Sequence, residues 1–470
     1  MLPAPGRIPM NAPSRIPTAV RHVVKGRLVE GADLEFGPSH ARFTTPALDL
    51  DELVWTRAEP PPAADVPVDE IIDVLVATGE RLIRDPDGSL AEAMARTQAT
   101  SPHPRDLVER AFTTLGLMFN RPGMEFMLRQ ELGGKDVVDG WREVACPSGR
   151  PARVRAFPPR LVHVIAGNSP GVAAQTIIRG ALVKGAHLLK LPSNELFSAP
   201  AILQAMAAAA PGHPLTRCFS AVYWRGGDDK VESMLFRPQF FDKLVAWGGE
   251  STIRSAVKYV GPGFELVSFD PKTSISLIGR EAFASEERLA EVADLAAADA
   301  TLMNQQACTA SRFQFVEGSE ADVDRYCDLL QARLGVERRM ASATPQPIPA
   351  GLRDEIGSLR DLPDFYRVWG GYEGCGLVVR SEDPVDFYPD GKVVNVVRVA
   401  DLADAVRHVT VATSTVGVYP PERKAGLRDR LASGGAQRIV TLGGAAPEGG
   451  LPHDGFYPLH RFVRWVNDEG

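Results

Sequence analysis

Apolar residues in this chain change their spacing near Arg160, and the change divides the sequence. Before it, helical spacing dominates. Val68, Ile71, Ile72 and Leu75 mark one buried face just after Pro67, a residue suited to a first helical turn. Val108, Phe112, Leu115 and Phe119 mark another, and the helical pattern runs with breaks to about Arg129. A polar-alternating hairpin is predicted next, from Trp141–Val144 through a turn at Pro147–Pro151 to Val154–Phe157.

From Arg160 onward, short apolar runs alternate with helical stretches. Leu161–Ile165, His187–Lys190, Phe219–Trp224 and Lys243–Trp247 read as strands. Each meets a turn rich in glycine or proline, and a helix is predicted to begin near Thr252 with Ser251 as its N-cap. That alternation predicts a doubly wound parallel sheet, with ligands beyond the carboxyl ends of the strands. A second alternating stretch, from about Lys272 to Ala445, holds strands at Val378–Val379 and Val393–Val397 and a helix over Asp401–His408. Phe456–Val466 reads as a final strand. The expected class is therefore α/β with two doubly wound parallel-sheet domains and a small β element. Residues 1–65, rich in proline, read as an extended arm with a few strands and then a linker.

Composition narrows the function without naming it. A net charge of −7 with both signs interspersed gives no basic surface for nucleic acid. No run approaches the roughly 18 apolar residues that span a bilayer, and Met1–Pro17 has too many prolines for a signal peptide. Five scattered cysteines make neither a disulfide framework nor a zinc site. A cytoplasmic protein is expected.

One of those cysteines stands apart. Met303-Asn304-Gln305-Gln306-Ala307-Cys308-Thr309-Ala310-Ser311-Arg312 joins a helix striped by Leu289, Val292, Ala293, Ala296 and Ala300 to an alternating strand at Arg312–Val316. A lone cysteine is more often a packing residue, and Cys146, Cys218, Cys327 and Cys375 are read that way. The decapeptide, however, resembles the nucleophile segment of the aldehyde dehydrogenase superfamily. Three further elements stand in that superfamily's order: the Gly167-Asn168 turn, the strand ending in Lys190, and Trp247-Gly248-Gly249-Glu250-Ser251. The runs Gly167-Asn168-Ser169-Pro170-Gly171 and Lys190-Leu191-Pro192-Ser193-Asn194, with the terminal Phe462-Val463-Arg464-Trp465, look most like the LuxC-type (long-chain fatty) acyl-CoA reductase family.

The resemblance implies an aldehyde-dehydrogenase-like fold. Residues 66–140 and 159–271 would form the NAD(P)-binding Rossmann-like domain and 272–445 the catalytic domain. Residues 141–158 and 446–470 would form the oligomerisation element. Cys308 would attack an acyl thioester, and the Asn168 amide with the Cys308 N–H would hold the oxyanion. Lys190, Ser193, Gly226, Gly227, Gly248, Gly249 and Ser251 would hold the cofactor.

Hydrolytic relatives carry a glutamate that activates water, and Ser268 stands in its place, which favours acyl-thioester chemistry over oxidation to an acid. Glu265 is the alternative base if the alignment shifts. The literal run Glu131-Leu132-Gly133-Gly134-Lys135 precedes the first sheet strand and is read as coincidence. The family's nicotinamide-ribose glutamate has no clear match; Tyr388 falls closest, between Asp386 and Asp390. Neutral Ser193 and Asn194 beside Lys190 favour NADPH, with NADH the alternative if Glu195 enters the contact.

The expected reaction is NADPH-dependent reduction of an acyl-CoA, or of a carrier- or partner-bound acyl thioester, to an aldehyde. An acyl-protein synthetase or ligase partner and a homodimer or homotetramer are implied. An NAD(P)-dependent aldehyde dehydrogenase and a catalytically silent binding scaffold are the rival readings. His453 and His460 lie around the start of the last strand; one of them could approach the site as an acid, but both are read as structural residues.

Overall fold

The computed structural model describes residues 18–38 and 41–470. Met1–Pro17, the first part of the expected arm, lies outside the described residues. The first large sheet has the strand order Glu265–Phe269, Lys243–Trp247, Arg160–Val164, Ala186–Lys190, Phe219–Val222, His22–Val24, Arg27–Val29. The first five strands run parallel. Because both faces are covered, successive residues feed different cores. Leu161, Leu189 and Val245 join the cluster under helices Val68–Arg84, Pro170–Leu182 and Ser198–Ala209. Val162, Leu188 and Leu244 join the cluster containing Trp55, Phe241 and Ala256.

The segment expected to be an extended arm adds the antiparallel pair His22–Val24 and Arg27–Val29 to this sheet. Val23 and Val24 are buried on opposite faces, which binds the segment to both cores.

The second large sheet runs Arg367–Trp369, Leu377–Ser381, Val393–Val399, Ser311–Glu317, Thr273–Ile278, Thr413–Tyr419, Arg438–Thr441, parallel except at its first pair. Asp401–His408 is a 3₁₀ helix over Leu402–His408, not an α-helix; Asp401 caps it reciprocally with Asp404. The predicted hairpin forms as Arg142–Ala145 against Pro151–Phe157, and Arg464–Glu469 adds to it antiparallel.

The expected final strand over Phe456–Val466 begins instead as a short helix, Pro458–Phe462. Pro458 suits its first turn, Leu459 and Phe462 are buried, and the Leu459 N–H donates to Glu131 Oε2 at 2.6 Å. This also explains the Glu131–Lys135 run. Glu131 is a buried anchor at the end of helix Arg121–Leu132, which Gly133 caps in the left-handed region at φ 75°.

Candidate active site

The helix Glu286–Ala300 stops at Thr301, and the chain then enters a left-handed run at Met303, Asn304 and Gln305, with φ of 50°, 51° and 72°. Side chains rarely adopt this conformation, at a cost of about 1–2 kcal/mol per residue. The surroundings hold it. Asn304 Oδ1 accepts from the Ser342 N–H at 2.7 Å, Gln305 Nε2 donates to the Val393 carbonyl at 2.8 Å, and the Met303 N–H donates to the Met340 carbonyl at 2.7 Å. The Arg312 guanidinium donates to the Gln305 carbonyl. Cys308 follows, half-buried, with its carbonyl held by Ser274 Oγ at 2.8 Å.

Cys308 lines a cavity of about 1430 Å³ that lies along the carboxyl edge of the first sheet. The turns after four strands form its floor, and Asn168, Lys190, Ser193, Gly226, Gly227, Gly248, Gly249 and Ser251 all reach its wall. The structure thus gathers every sequence-predicted site residue into one space. None of the other four cysteines lines it.

Burial and the nearby Asp454 carboxylate push the Cys308 thiol up to about 11, while the N–H groups of Cys308 and Thr309 and the charge of Arg438 act in the opposite direction. Cys308 is therefore held as a thiol. Asn168 Nδ2 donates to the Gln306 carbonyl at 3.1 Å, and its Oδ1 is buried without a partner. His103 Nε2 fixes the Asn168 carbonyl at 2.9 Å. Gly167 is required beside it, since a Cβ there would lie 1.8 Å from Asn194 Oδ1.

At the other end of the cavity, Lys190 is 9% exposed and makes no hydrogen bond or ion pair among the described residues. Burial lowers its pKa, and the charge of Glu232 opposes that shift. Glu232, which sequence reasoning missed, accepts from Trp224 Nε1, the Gly227 N–H and the Tyr259 hydroxyl at 3.2, 3.1 and 3.2 Å. Glu195 turns inward, 2% exposed, and accepts from the Ser198 N–H and hydroxyl. The acidic contact that would favour NADH is not formed. Asn194 is likewise engaged, donating to the Gly167 carbonyl at 3.1 Å.

Ser251 does not cap its helix. Gly249 is the N-cap of Glu250–Val257, and Ser251 lies inside the first turn. With Gly249 as the cap the chain enters the helix two residues earlier than a cap at Ser251 would allow. At Gly248 a Cβ would meet three Thr252 side-chain atoms within 3.0 Å.

Glu265 cannot serve as the alternative base. It begins its strand, whereas the cavity lies at the far end, past Phe269, and it pairs with Lys243 at 3.2 Å. Trp247 and Phe269 stack at 3.6 Å to form an aromatic wall, and the His453 ring meets both edge-on. Burial, with Arg179 and Arg438 nearby, pushes His453 down to about 3, so it stays neutral. His460 does not reach the cavity and leans on Trp465. Tyr388 does line it, under the Arg312 guanidinium at 4.2 Å, while Gln306 Nε2 donates to Asp390 at 2.9 Å. Among the described residues no group of three His, Cys, Asp or Glu side chains could hold a metal.

A cysteine presented by one wound sheet to a cavity at the carboxyl edge of another is the arrangement of the aldehyde dehydrogenase fold. NADP-dependent glyceraldehyde-3-phosphate dehydrogenase from Bacillus halodurans superposes with a TM-score of 0.69 at 16% identity, over 96% of this chain and 99% of that one. NAD-dependent benzaldehyde dehydrogenase from Corynebacterium glutamicum gives 0.71 at 15% identity, over 96% and 97%.

Within that fold the chain belongs to the acyl-CoA reductase (LuxC) family, whose model matches residues 63–349 and 377–465. It is an oxidoreductase that reduces an acyl thioester to an aldehyde. A long-chain acyl-protein thioester reductase of Photorhabdus luminescens is 29% identical over 371 residues, 75% of this chain and 72% of that protein. One of Vibrio harveyi is 27% identical over 418 residues, 86% and 83%. Among the described residues, no helix is long and apolar enough to cross a membrane.

Proposed function

We propose that the protein is an NADPH-dependent reductase in which Cys308 takes the acyl group from a thioester as a covalent acyl-cysteine. The observation that carries this reading is the meeting of Cys308 with the turns of the first sheet around one cavity, which Glu265 does not line. The Asn168 amide, whose second N–H is uncommitted, and the Cys308 N–H hold the oxyanion. With Ser268 standing where hydrolytic relatives carry the glutamate that activates water, hydrolysis of the acyl-cysteine is slow, which keeps it for reduction.

The residues present fit a dinucleotide. Gly249 leaves open space around its Cα, and Gly227 holds φ at 79° with its N–H directed at Glu232. The Lys190 ammonium lies over the Tyr223 ring at 5.7 Å and among the described residues has no hydrogen-bond or ion-pair partner, so it is free to meet a 2′-phosphate. Ser193 and the Gly226–Gly227 turn lie beside it, and Gly248, Gly249 and Ser251 line the opposite side. When bound, the nicotinamide supplies hydride. With Glu195 turned inward, NADPH is preferred over NADH.

Residues 66–140 and 159–271 act as the cofactor unit and 272–445 as the catalytic unit. The three-stranded sheet from 141–158 and 446–470 serves oligomerisation, because both its outer strands have an unpaired edge and Trp141, Val144 and Trp465 are exposed. Its relatives' names point to a long-chain acyl group carried on a protein as a thioester, and the family resemblance adds an acyl-protein synthetase or ligase as the source.

The experiment follows NADPH consumption with a panel of acyl-CoAs. Wild type is expected to yield aldehyde and Cys308→Ala to be silent at unchanged melting temperature. Full activity in Cys308→Ala would overturn the reading. The scaffold alternative has nothing in its favour here, since Cys308 opens to the cavity. The aldehyde-oxidising alternative loses its base with Glu265.

A further inference from the structure

The loop 447–455 brings one more ionisable group to the cavity wall. Asp454 lines the main cavity with Cys308, and its side chain is 6% exposed. It is held in the left-handed region at φ 51°. No hydrogen bond reaches its carboxylate, and His453 Nδ1 stands 3.5 Å from Oδ1. The other charged groups around it are Lys272 and Asp270 from the segment after Glu265–Phe269, and Arg179 from helix Pro170–Leu182.

The remaining acids of the cavity are committed elsewhere or open to solvent. Glu232 is occupied by its three donors, Asp270 lies 45% exposed near Lys272, and Glu448 is exposed.

Behind Asp454 lies a second chamber of about 30 Å³, walled by Thr309, Arg179, Gln437, Arg438, His453 and Asp454 itself among others. Arg179 Nε and Nη1, Gln437 Oε1 and His453 Nδ1 are buried there without a protein partner. Such a volume admits a water molecule and little more, and these atoms are the polar partners a buried water needs. Asp454 therefore stands between the nucleophile's cavity and a polar space through which a proton can be exchanged.

Resting on the acyl-cysteine reading above, we infer that Asp454 is the proton acceptor for Cys308 during acylation. The thiol proton passes to the carboxylate as Sγ bonds to the acyl carbon. The bond from that carbon to the carrier sulfur then breaks, and the departing thiolate takes the proton from Asp454 and leaves as a thiol. No oxidant or reductant enters. Burial lifts Asp454 to about 6, so at neutral pH it is ionised and also able to return a proton. With the thiol at about 11, transfer accompanies attack and does not precede it.

The test measures CoA release from stoichiometric decanoyl-CoA without any nicotinamide, and follows the adduct on Cys308 by intact mass. Wild-type acylation is expected to rise about tenfold per pH unit and bend near pH 6. Asp454→Asn is expected to acylate about 10²-fold more slowly and to lose the bend, and Asp454→Glu to restore it. A carboxylate that merely burdened the thiol with negative charge would act in reverse, and Asp454→Asn would acylate faster than wild type. That result, or a wild-type profile without the bend, overturns the assignment, and the profile decides even if the Asn variant fails to fold. A wild type that forms no adduct at any pH removes the acyl-cysteine reading itself, and the inference with it.

Discussion

Asn168 gives the sharpest single-residue test of the proposed chemistry. Its amide is aimed by a backbone contact to His103 and by the tight approach of Asn194 to Gly167, so its removal should leave the turn in place. Asn168→Ala is expected to lower kcat about 10²–10³-fold with little change in the KM for the thioester. Steady-state NADPH oxidation reads both constants, and a loss confined to KM would make Asn168 a binding group only. Lys190→Met should raise the KM for NADPH about tenfold or more while leaving NADH nearly unchanged. Equal losses with both cofactors would detach Lys190 from the 2′-phosphate. Cys308, Asn168 and Lys190 were legible because each sits at the end of a periodic element. Glu195 was left open as the alternative because a side chain's direction from a turn depends on its neighbour: Ser198 captures it three residues later.

The connection into Cys308 is the most constrained short element of the molecule. Three consecutive left-handed residues are held by contacts from two separate segments, one at Met340 and Ser342 and one at Val393. Asn304→Ala removes the acceptor of a buried N–H and the side chain that best tolerates this conformation. It is expected to destabilise by about 2–3 kcal/mol, read as a lower urea midpoint, and to slow alkylation of Cys308. An unchanged midpoint would show that the run is held without Asn304. Hydrophobic period predicted the helix before this run and the strand after it, but carried no sign of the run itself. In the same way, Gly249 took the cap expected of Ser251, and Pro458 turned part of a predicted strand into a helix.

Four histidines, His22, His163, His187 and His453, are held neutral by burial, which shapes the molecule's behaviour in acid. Burial pushes His22 down to about 4, His187 and His453 down to about 3, and His163 well below its usual value. The unfolded chain binds protons at these sites below about 6.5 and the folded chain does not, so stability is lost as pH falls. At pH 5 each such histidine costs about 2 kcal/mol. Asp299 and Asp454, both lifted to about 6, push the other way by about 1.4 kcal/mol each. The melting temperature is therefore expected to drop from pH 7 to pH 5. A higher melting temperature at pH 5 would mean that these histidines open to solvent.

Alternation of apolar runs was enough to establish two wound sheets, the hairpin, and a cysteine at a helix-to-strand junction, because period and turn chemistry are local properties of the chain. Local properties also placed each predicted cofactor residue at a strand's carboxyl end. Tertiary packing settled the rest. It brought Asp454 to the wall that holds Cys308, closed Glu195 inward, removed Glu265 to the far end of its strand, and drew His22–Val29 into the first sheet. Each of these depends on which distant surfaces meet, and burial and charge there follow from neighbours that lie far away along the chain.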